Sequence, residues 1–212
     1  MAMHFISHTA PALSCIDSGG IARSIATNIA YGVCNVDASL RVRANGAGNA
    51  ASVAGRVYSH GTWRDPAVRA QLSEKLGLSL ASALREDFEW YCCRGAFFHN
   101  DAHYEARLFG IWCITGPRAE LVFPRAAVRL ECAPGTIGVF DPFEVHGILR
   151  ASANVFSAGD YDATEASVFV GFELDLTLAV AAAFCIKPGM AGRLISSRTR
   201  ISASSGELDS AG

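Results

Sequence analysis

The chain has 212 residues, of which 50% are hydrophobic and 18% are charged, and its formal net charge at pH 7 is -2. This composition suits one globular domain with a sizeable core, and it argues against binding of nucleic acid or acidic membranes by bulk charge. Seven cysteines without a Cys-x-x-Cys pair argue against a zinc cluster or a disulfide framework. The longest apolar run, residues 174–186, is too short to cross a bilayer, and no signal peptide is indicated, so we expect a cytoplasmic protein.

The first 87 residues are predicted to form a segment of helices and loops that packs on the core. Within residues 21–33, three isoleucines and a valine recur every four positions, which predicts one face of a short helix. Residues 44–55 are almost all Ala, Gly, Asn and Ser, which predicts a loop.

A further helix is marked by its start and stop signals. Asp65 can cap it, Pro66 suits its first position, and apolar residues follow at spacing four until Gly77. A second helical piece is predicted over residues 78–85. Both are interpreted as scaffold.

From residue 88 onward the chain becomes rich in aromatic and β-branched residues, and glycines and prolines separate its apolar runs. The predicted strands are residues 88–98, 104–114, 120–123, 127–132, 136–140, 145–149 and 167–174. Many short strands at close spacing indicate a sandwich or barrel. An Ala-rich helix over residues 175–186 completes a core of residues 88–194, and the Ser-rich residues 195–212 predict a flexible tail.

The chemistry-bearing residues lie in this strand-rich part. His99 and Asp101 are two apart, so a strand places both side chains on one face, and His146 can reach them from a strand remote in sequence. Two imidazoles and one carboxylate are the ligand set of an open non-haem iron site. His103 can replace one of the histidines as a ligand, it can lie beside the site, or it can face solvent.

The residues around these ligands resemble a known family. His99-Asn-Asp101, followed by Pro134-Gly-Thr-Ile-Gly-Val-Phe-Asp-Pro-Phe-Glu-Val-His146-Gly, resembles the iron(II)- and 2-oxoglutarate-dependent dioxygenases, and the likeness covers residues 88–175. The resemblance implies a double-stranded β-helix (a cupin-like jelly-roll) with flanking helices. It also implies that Fe(II) is held by His99, Asp101 and His146, and that 2-oxoglutarate is oxidised together with an unidentified substrate.

One element of the family pattern is missing. The family commonly places an Arg or Lys shortly after the distal histidine to pair with the far carboxylate of 2-oxoglutarate. Here no basic residue stands between Arg150 and Lys187. Arg118 is the best substitute, with Arg107 and Arg150 behind it, because a guanidinium can bind a carboxylate through two hydrogen bonds.

The preferred hypothesis is therefore an Fe(II)/2-oxoglutarate dioxygenase that hydroxylates a small molecule or a peptide side chain, with Asn100, His103 and Glu173 near the metal. One alternative is a cupin-like metalloprotein with the same ligands that does not use 2-oxoglutarate. Another is a jelly-roll module that binds a ligand without catalysis. The sequence does not constrain the substrate or the oligomeric state.

Overall fold

The structure, a computed structural model, describes residues 3–10, 12–16, 22–48, 53–104, 106–162, 164, 166–190, 192–196 and 198–209. The fold is mostly β. In chain order the strands are β1 (His4–Ser7), β2 (Leu13–Ile16), β3 (Ala22–Ser24), β4 (Asn28–Val33), β5 (Val57–Trp63), β6 (Phe88–Cys93), β7 (Ala96–His99), β8 (Arg107–Thr115), β9 (Ala119–Phe123), β10 (Val128–Glu131), β11 (Thr136–Phe140), β12 (His146–Arg150), β13 (Ser167–Asp175) and β14 (Arg193–Ile195). The helices are α1 (Ala38–Gly48), α2 (Pro66–Leu76), α3 (Leu78–Ala81) and α4 (Leu178–Ala183).

The strands form three sheets, and none of them closes into a barrel within the described residues. The larger sheet has the order β1-β4-β11-β8-β13-β6-β5, and the smaller sheet has the order β10-β9-β12-β7. The third sheet, β14-β2-β3, contains a parallel pair, β14 with β2. Eight consecutive strands form nested antiparallel pairs: β9 with β10, β8 with β11, β7 with β12, and β6 with β13.

Strand β8 shows how the layers meet. Successive side chains of a strand point to opposite faces of its sheet. Leu108, Trp112 and Ile114 of β8 pack into the core between the larger sheet and the helices, whereas Phe109 and Ile111 pack into the core shared with the smaller sheet. The larger sheet is thus buried on both faces at β8, and the second of these cores contains the candidate site.

The predicted helix over residues 21–33 is wrong. This stretch forms β3 and β4, and β4 pairs with both β1 and β11 in the larger sheet. A spacing of four residues is a multiple of the strand period of two, so apolar residues four apart also share one face of a strand. Ile29 on β4 is buried, whereas Val33 at the end of β4 is exposed, and Ile25 is buried in the connection between β3 and β4. Ile21 lies outside the described residues.

The predicted loop over residues 44–55 is wrong in its first part, because α1 extends to Gly48. Asp37 begins this helix: its Oδ1 accepts a hydrogen bond from the Leu40 amide at 2.8 Å. Leu40 and Ala44 are four apart and buried, and the small side chain of Ala44 fits this close packing. Residues 49–52 lie outside the described residues.

The segment of residues 1–87 was expected to contain helices and loops, but it also contributes five strands. Of these, β1, β4 and β5 are hydrogen-bonded members of the larger sheet. His4 and His60 lie on β1 and β5. The segment therefore extends the core sheet.

The helix with the strongest sequence signals is confirmed. Asp65 Oδ1 accepts from the Ala67 and Val68 amides at 3.0 and 3.3 Å, and α2 ends before Gly77. The predicted strands after residue 88 are also present, except that residues 88–98 form two strands, β6 and β7, separated by a turn. The helices predicted over residues 78–85 and 175–186 exist as the shorter α3 and α4.

The described part of the predicted tail lies against the rest of the molecule. The Phe98 amide donates to the Ala203 carbonyl and the Phe156 amide donates to the Ser204 carbonyl, both at 3.0 Å. Leu208 packs against two of the buried hydrophobic clusters. The mobility of this segment stays a prediction.

Among the described residues, none of the helices has both the length and the apolar character needed to cross a bilayer.

Candidate metal centre

Two histidines face each other across neighbouring strands of the smaller sheet. His99 is the last residue of β7 and His146 is the first residue of β12, and the two are direct partners in the antiparallel register. Direct cross-strand partners have close side chains, and here the ring centroids are 4.5 Å apart. Strand pairing therefore converts a distance of many residues in sequence into contact.

Backbone carbonyls orient both imidazole rings. Nδ1 of His99 lies 2.6 Å from the Phe97 carbonyl oxygen, and Nδ1 of His146 lies 2.8 Å from the Glu144 carbonyl oxygen. A carbonyl oxygen only accepts hydrogen bonds, so each Nδ1 carries a proton, and Nε2 of each ring presents a lone pair whenever the ring is neutral. Such contacts commonly orient histidines that bind metals.

Asp101 completes the group. Its Oδ1 is 3.7 Å from Nε2 of His99, and its Oδ2 is 3.3 Å from Nε2 of His146. The Asp101 amide donates to the Pro142 carbonyl at 2.8 Å, which joins this turn to the loop before His146. We call His99, Asp101 and His146 the triad.

The charge states of the triad suit metal binding. Burial lowers the pKa of His99 below its ordinary value, and the nearby His146 adds to this effect. Burial by itself would raise the pKa of Asp101, but the side-chain contact with His146 and the positive charges that the neighbouring histidines carry at low pH lower it to about 2. A neutral imidazole and an ionised carboxylate are the forms that bind a metal ion.

The donor set fits one small metal ion. One ligand atom from each member of the triad lies within 4.8 Å of the others. Metal–ligand bonds of roughly 2.0–2.2 Å at right angles place neighbouring ligand atoms about 3 Å apart, close to the distances between Asp101 and the two histidines. The facing lone pairs repel one another unless a proton or a metal ion lies between them. A proton or a metal ion therefore stabilises this arrangement of the three ligand atoms.

The triad lines a cavity of about 230 Å³ between the two sheets. Most of its wall is apolar or aromatic, and the residues concerned are Val57, Ala96, Phe109, Ile111, Leu121, Phe140, Ile148 and Phe169. The polar residues of the wall, besides the triad, are Ser59, Tyr91, His103 and Tyr104. The cavity is thus a mostly apolar pocket with a concentrated group of metal donors.

Two buried ion pairs hold the loop that leads to His146. Asp141 accepts from the Arg23 guanidinium at 2.6 Å and from the amides of Ala26 and Phe143 at 2.9 and 3.1 Å. Glu144 accepts from Arg125 at 3.0 Å. We call residues 141–145 the distal loop. The sequence analysis did not predict that Asp141 holds this loop. The signal that could have indicated it is the Phe-Asp-Pro turn, in which Asp141 precedes Pro142.

The three arginines expected to bind 2-oxoglutarate do not line the triad cavity. Arg118 is exposed in the turn between β8 and β9. Arg107 pairs with Glu173 at 2.6 Å in a neighbouring cavity. Arg150 donates to the Asp160 carbonyl at 2.6 Å and lies over the Tyr161 ring. That one of these arginines binds 2-oxoglutarate stays a prediction.

The other residues expected near the metal separate into two groups. His103 lines the triad cavity and its ring lies 4.2 Å from that of Tyr104. Asn100 instead donates to the Ser196 carbonyl at 3.3 Å, and Glu173 belongs to the ion pairs of the neighbouring cavity. Only His103 therefore lies beside the site as the sequence suggested.

Neither a scan of protein-family models nor a search of curated proteins found a match to this chain.

Proposed function

We propose that this chain is a mononuclear non-haem iron(II) oxygenase built on a double-stranded β-helix. The observation that carries the proposal is the convergence of His99, Asp101 and His146 on the wall of an otherwise apolar cavity. Two histidines and one carboxylate that leave coordination positions open are the ligand set of non-haem iron oxygenases.

The nested pairing of eight consecutive strands supports the fold part of the proposal. Strand pairs β6–β13, β7–β12, β8–β11 and β9–β10 are divided between two facing sheets. A long antiparallel hairpin rolled in this way is the pattern of a jelly-roll. In such a fold the triad lies at one end of β7 and β12, between the sheets.

Each part of the site has a role in this proposal. His99, Asp101 and His146 would hold the metal, which when bound supplies the capacity to activate O₂ for oxidation of a substrate. The distal loop, held by its buried ion pairs, fixes the position of His146. The aromatic and aliphatic wall excludes water from the reacting groups and leaves room for an apolar substrate.

The co-substrate divides the proposal into two versions. In the first, which follows from the family resemblance, 2-oxoglutarate binds beside the metal. In the second, the enzyme uses the same ligands without 2-oxoglutarate. The second is favoured by one observation: among the described residues, no Arg or Lys lines the triad cavity, so no guanidinium or ammonium there pairs with a carboxylate.

The cavity volume indicates the size of the substrate. At about 230 Å³ the cavity is smaller than the typical pocket of roughly 300–1,000 Å³ that takes a drug-sized ligand. A small molecule or a single side chain of a peptide therefore suits it.

The test is an anaerobic titration of the full chain with Fe(II), followed by calorimetry and by absorption spectroscopy. We expect one Fe(II) per chain in the wild type and a loss of affinity of about 100-fold or more in His146→Ala and Asp101→Asn. His4→Ala is the matched control, because His4 is an exposed histidine on the edge strand β1. Unchanged affinity in both triad variants would reject the metal site.

The same titration with 2-oxoglutarate separates the two versions. A metal-to-ligand charge-transfer band that needs both Fe(II) and 2-oxoglutarate supports the first version. Iron binding without such a band supports the second. A folded protein that binds no Fe(II) would leave the non-catalytic binding module as the better hypothesis.

A further inference from the structure

Besides the triad and His103, the polar part of the triad cavity is formed by hydroxyl groups. Ser59, Tyr91 and Tyr104 line this cavity, and Tyr91 and Phe109 also line the neighbouring cavity, which contains Glu89. Tyr91 therefore separates the triad cavity from the Glu89 carboxylate. We call Ser59, Glu89, Tyr91 and Tyr104 the hydroxyl wall.

The hydroxyl protons of the wall are all used in a chain of hydrogen bonds that ends at Glu89. The hydroxyls of Ser59 and Tyr91 both donate to the Glu89 carboxylate. The Tyr91 and Tyr104 oxygens are 2.8 Å apart, and since the single Tyr91 proton is directed to Glu89, Tyr104 donates to Tyr91. The hydroxyl wall consequently offers oxygen lone pairs to a ligand and has no hydroxyl proton left to donate.

The Tyr91 phenol keeps its proton and is held in a fixed position. Burial, followed by the bonds to Glu89 and Tyr104, raises the pKa of Tyr91 well above its ordinary value. Gly171 of the adjacent β13 has no side chain, and a Cβ there would lie 2.3 Å from Cε2 of Tyr91. The phenol is therefore protonated across the physiological pH range, and its ring occupies space that only glycine leaves free.

The charge around this wall is negative. Two arginines and three carboxylates line the neighbouring cavity: Arg85, Arg107, Asp87, Glu89 and Glu173. Arg107 pairs with Glu173, and Arg85 pairs with Glu173 and Asp175. Within the described part of the chain, Glu89 forms no ion pair with a Lys, Arg or His side chain. The hydroxyls of Ser59 and Tyr91 donate hydrogen bonds to its carboxylate.

Aromatic rings add to this preference. Tyr104 stacks on Phe109 with a centroid distance of 5.1 Å, and Tyr91 meets the edge of Phe109 at 5.9 Å. The electron-rich faces of aromatic rings attract cations. Acceptor oxygens, an unpaired carboxylate and aromatic faces thus all favour a ligand that carries positive charge and donates hydrogen bonds.

We propose that the hydroxyl wall binds the protonated amino group of a small and largely apolar amine, whose apolar body lies in the cavity beside the triad. The ammonium donates to the oxygens of Tyr91 and Tyr104. Glu89 is a positioning residue, because it fixes the hydroxyl protons and supplies the negative charge. That this amine is a substrate rests on the proposed function, whereas its binding requires only the cavity.

Binding of matched probes tests the proposal with the full chain under anaerobic conditions, with and without Fe(II). The probes are butylammonium and 2-phenylethylammonium, the carboxylates pentanoate and 3-phenylpropionate, and the neutral alcohols 1-butanol and 2-phenylethanol. Affinities are measured by calorimetry and by ligand-observed NMR. We expect each ammonium to bind at least about tenfold more tightly than the carboxylate of similar shape.

Variants of the hydroxyl wall separate a charge effect from a change of shape. Glu89→Gln is expected to weaken ammonium binding about tenfold and to leave alcohol binding unchanged. Tyr91→Phe is expected to weaken ammonium binding roughly 2- to 10-fold. Glu131→Gln, at an exposed glutamate on the edge strand β10, is the control and is expected to change neither affinity.

The outcomes separate this inference from the proposed function. Equal or tighter binding of the carboxylates, or no ammonium binding at millimolar concentration, overturns the inference even if the triad binds Fe(II). Equal loss of ammonium and alcohol binding in both Glu89→Gln and Tyr91→Phe also overturns it, because that result indicates a change of shape. Selective ammonium binding in a protein that binds no Fe(II) supports the inference and rejects the oxygenase.

Discussion

Two groups of ion pairs lie near the triad cavity, and they differ in burial. In the distal loop, the side chains of Arg23 and Asp141 are 4% and 0% exposed. In the neighbouring cavity, the side chains of Arg107 and Glu173 are 37% and 20% exposed. A buried pair costs much free energy when one partner is removed, whereas an exposed pair contributes little. The difference indicates that the distal loop holds His146 rigidly in place. The ion pairs of the neighbouring cavity, which we call the outer pairs, instead set the charge of that open cavity.

The largest expected effect is at Asp141. Asp141→Asn leaves the buried Arg23 guanidinium without its carboxylate, and we expect a loss of about 3–5 kcal/mol in the free energy of unfolding. Urea denaturation of the metal-free protein measures it. Because the distal loop positions His146, Fe(II) affinity is expected to fall as well. A variant as stable as the wild type would mean that the ion pair does not hold the loop.

A second prediction concerns the pH dependence of stability. The pKa of His99 lies below the value of about 6.5 for an exposed histidine, so the unfolded chain binds this proton more readily. The contribution of neutral His99 to the free energy of unfolding is fully present above about pH 6.5. It is lost as the pH falls through the folded-state pKa. Asp101, with a pKa of about 2, stays ionised throughout this window.

Unfolding of the metal-free protein at about pH 7.5 and about pH 5 tests the direction of this pH dependence of stability. We expect the wild type to lose more stability between these pH values than His99→Gln does. His4→Gln, at an exposed histidine, serves as the control and should follow the wild type. An identical pH dependence in wild type and His99→Gln would contradict a buried, neutral His99.

The smallest expected effect is at the outer pairs. Arg107→Gln is expected to change the free energy of unfolding by less than about 1 kcal/mol, because its ion pair is partly exposed and screened. Fe(II) affinity should be unchanged, since Arg107 does not line the triad cavity. A loss of 2-oxoglutarate binding in this variant would instead show that Arg107 reaches the co-substrate. Calorimetry with each ligand distinguishes these results.

A local sequence pattern predicted the secondary structure correctly where only one type of secondary structure is compatible with it. The capping aspartate and N-terminal proline of α2 predicted that helix, because these residues complete hydrogen bonds and backbone angles that only a helix start requires. The isoleucines of residues 21–33 misled because a spacing of four suits both a helix and a strand. These residues form a strand because β4 pairs with β1 and β11. A short stretch of sequence around β4 does not include both of these partners.

The candidate site divides in the same way. The sequence by itself identified His99, Asp101 and His146 as one group. It placed His99 and Asp101 on the same strand, but β7 ends at His99 and Asp101 lies in the turn that follows. Only the tertiary structure decided that His146 lies directly opposite His99, and that Arg107, Arg118 and Arg150 lie outside the cavity. The period of a strand is set by backbone geometry, whereas strand partners and side-chain directions depend on how the whole chain buries its apolar surface.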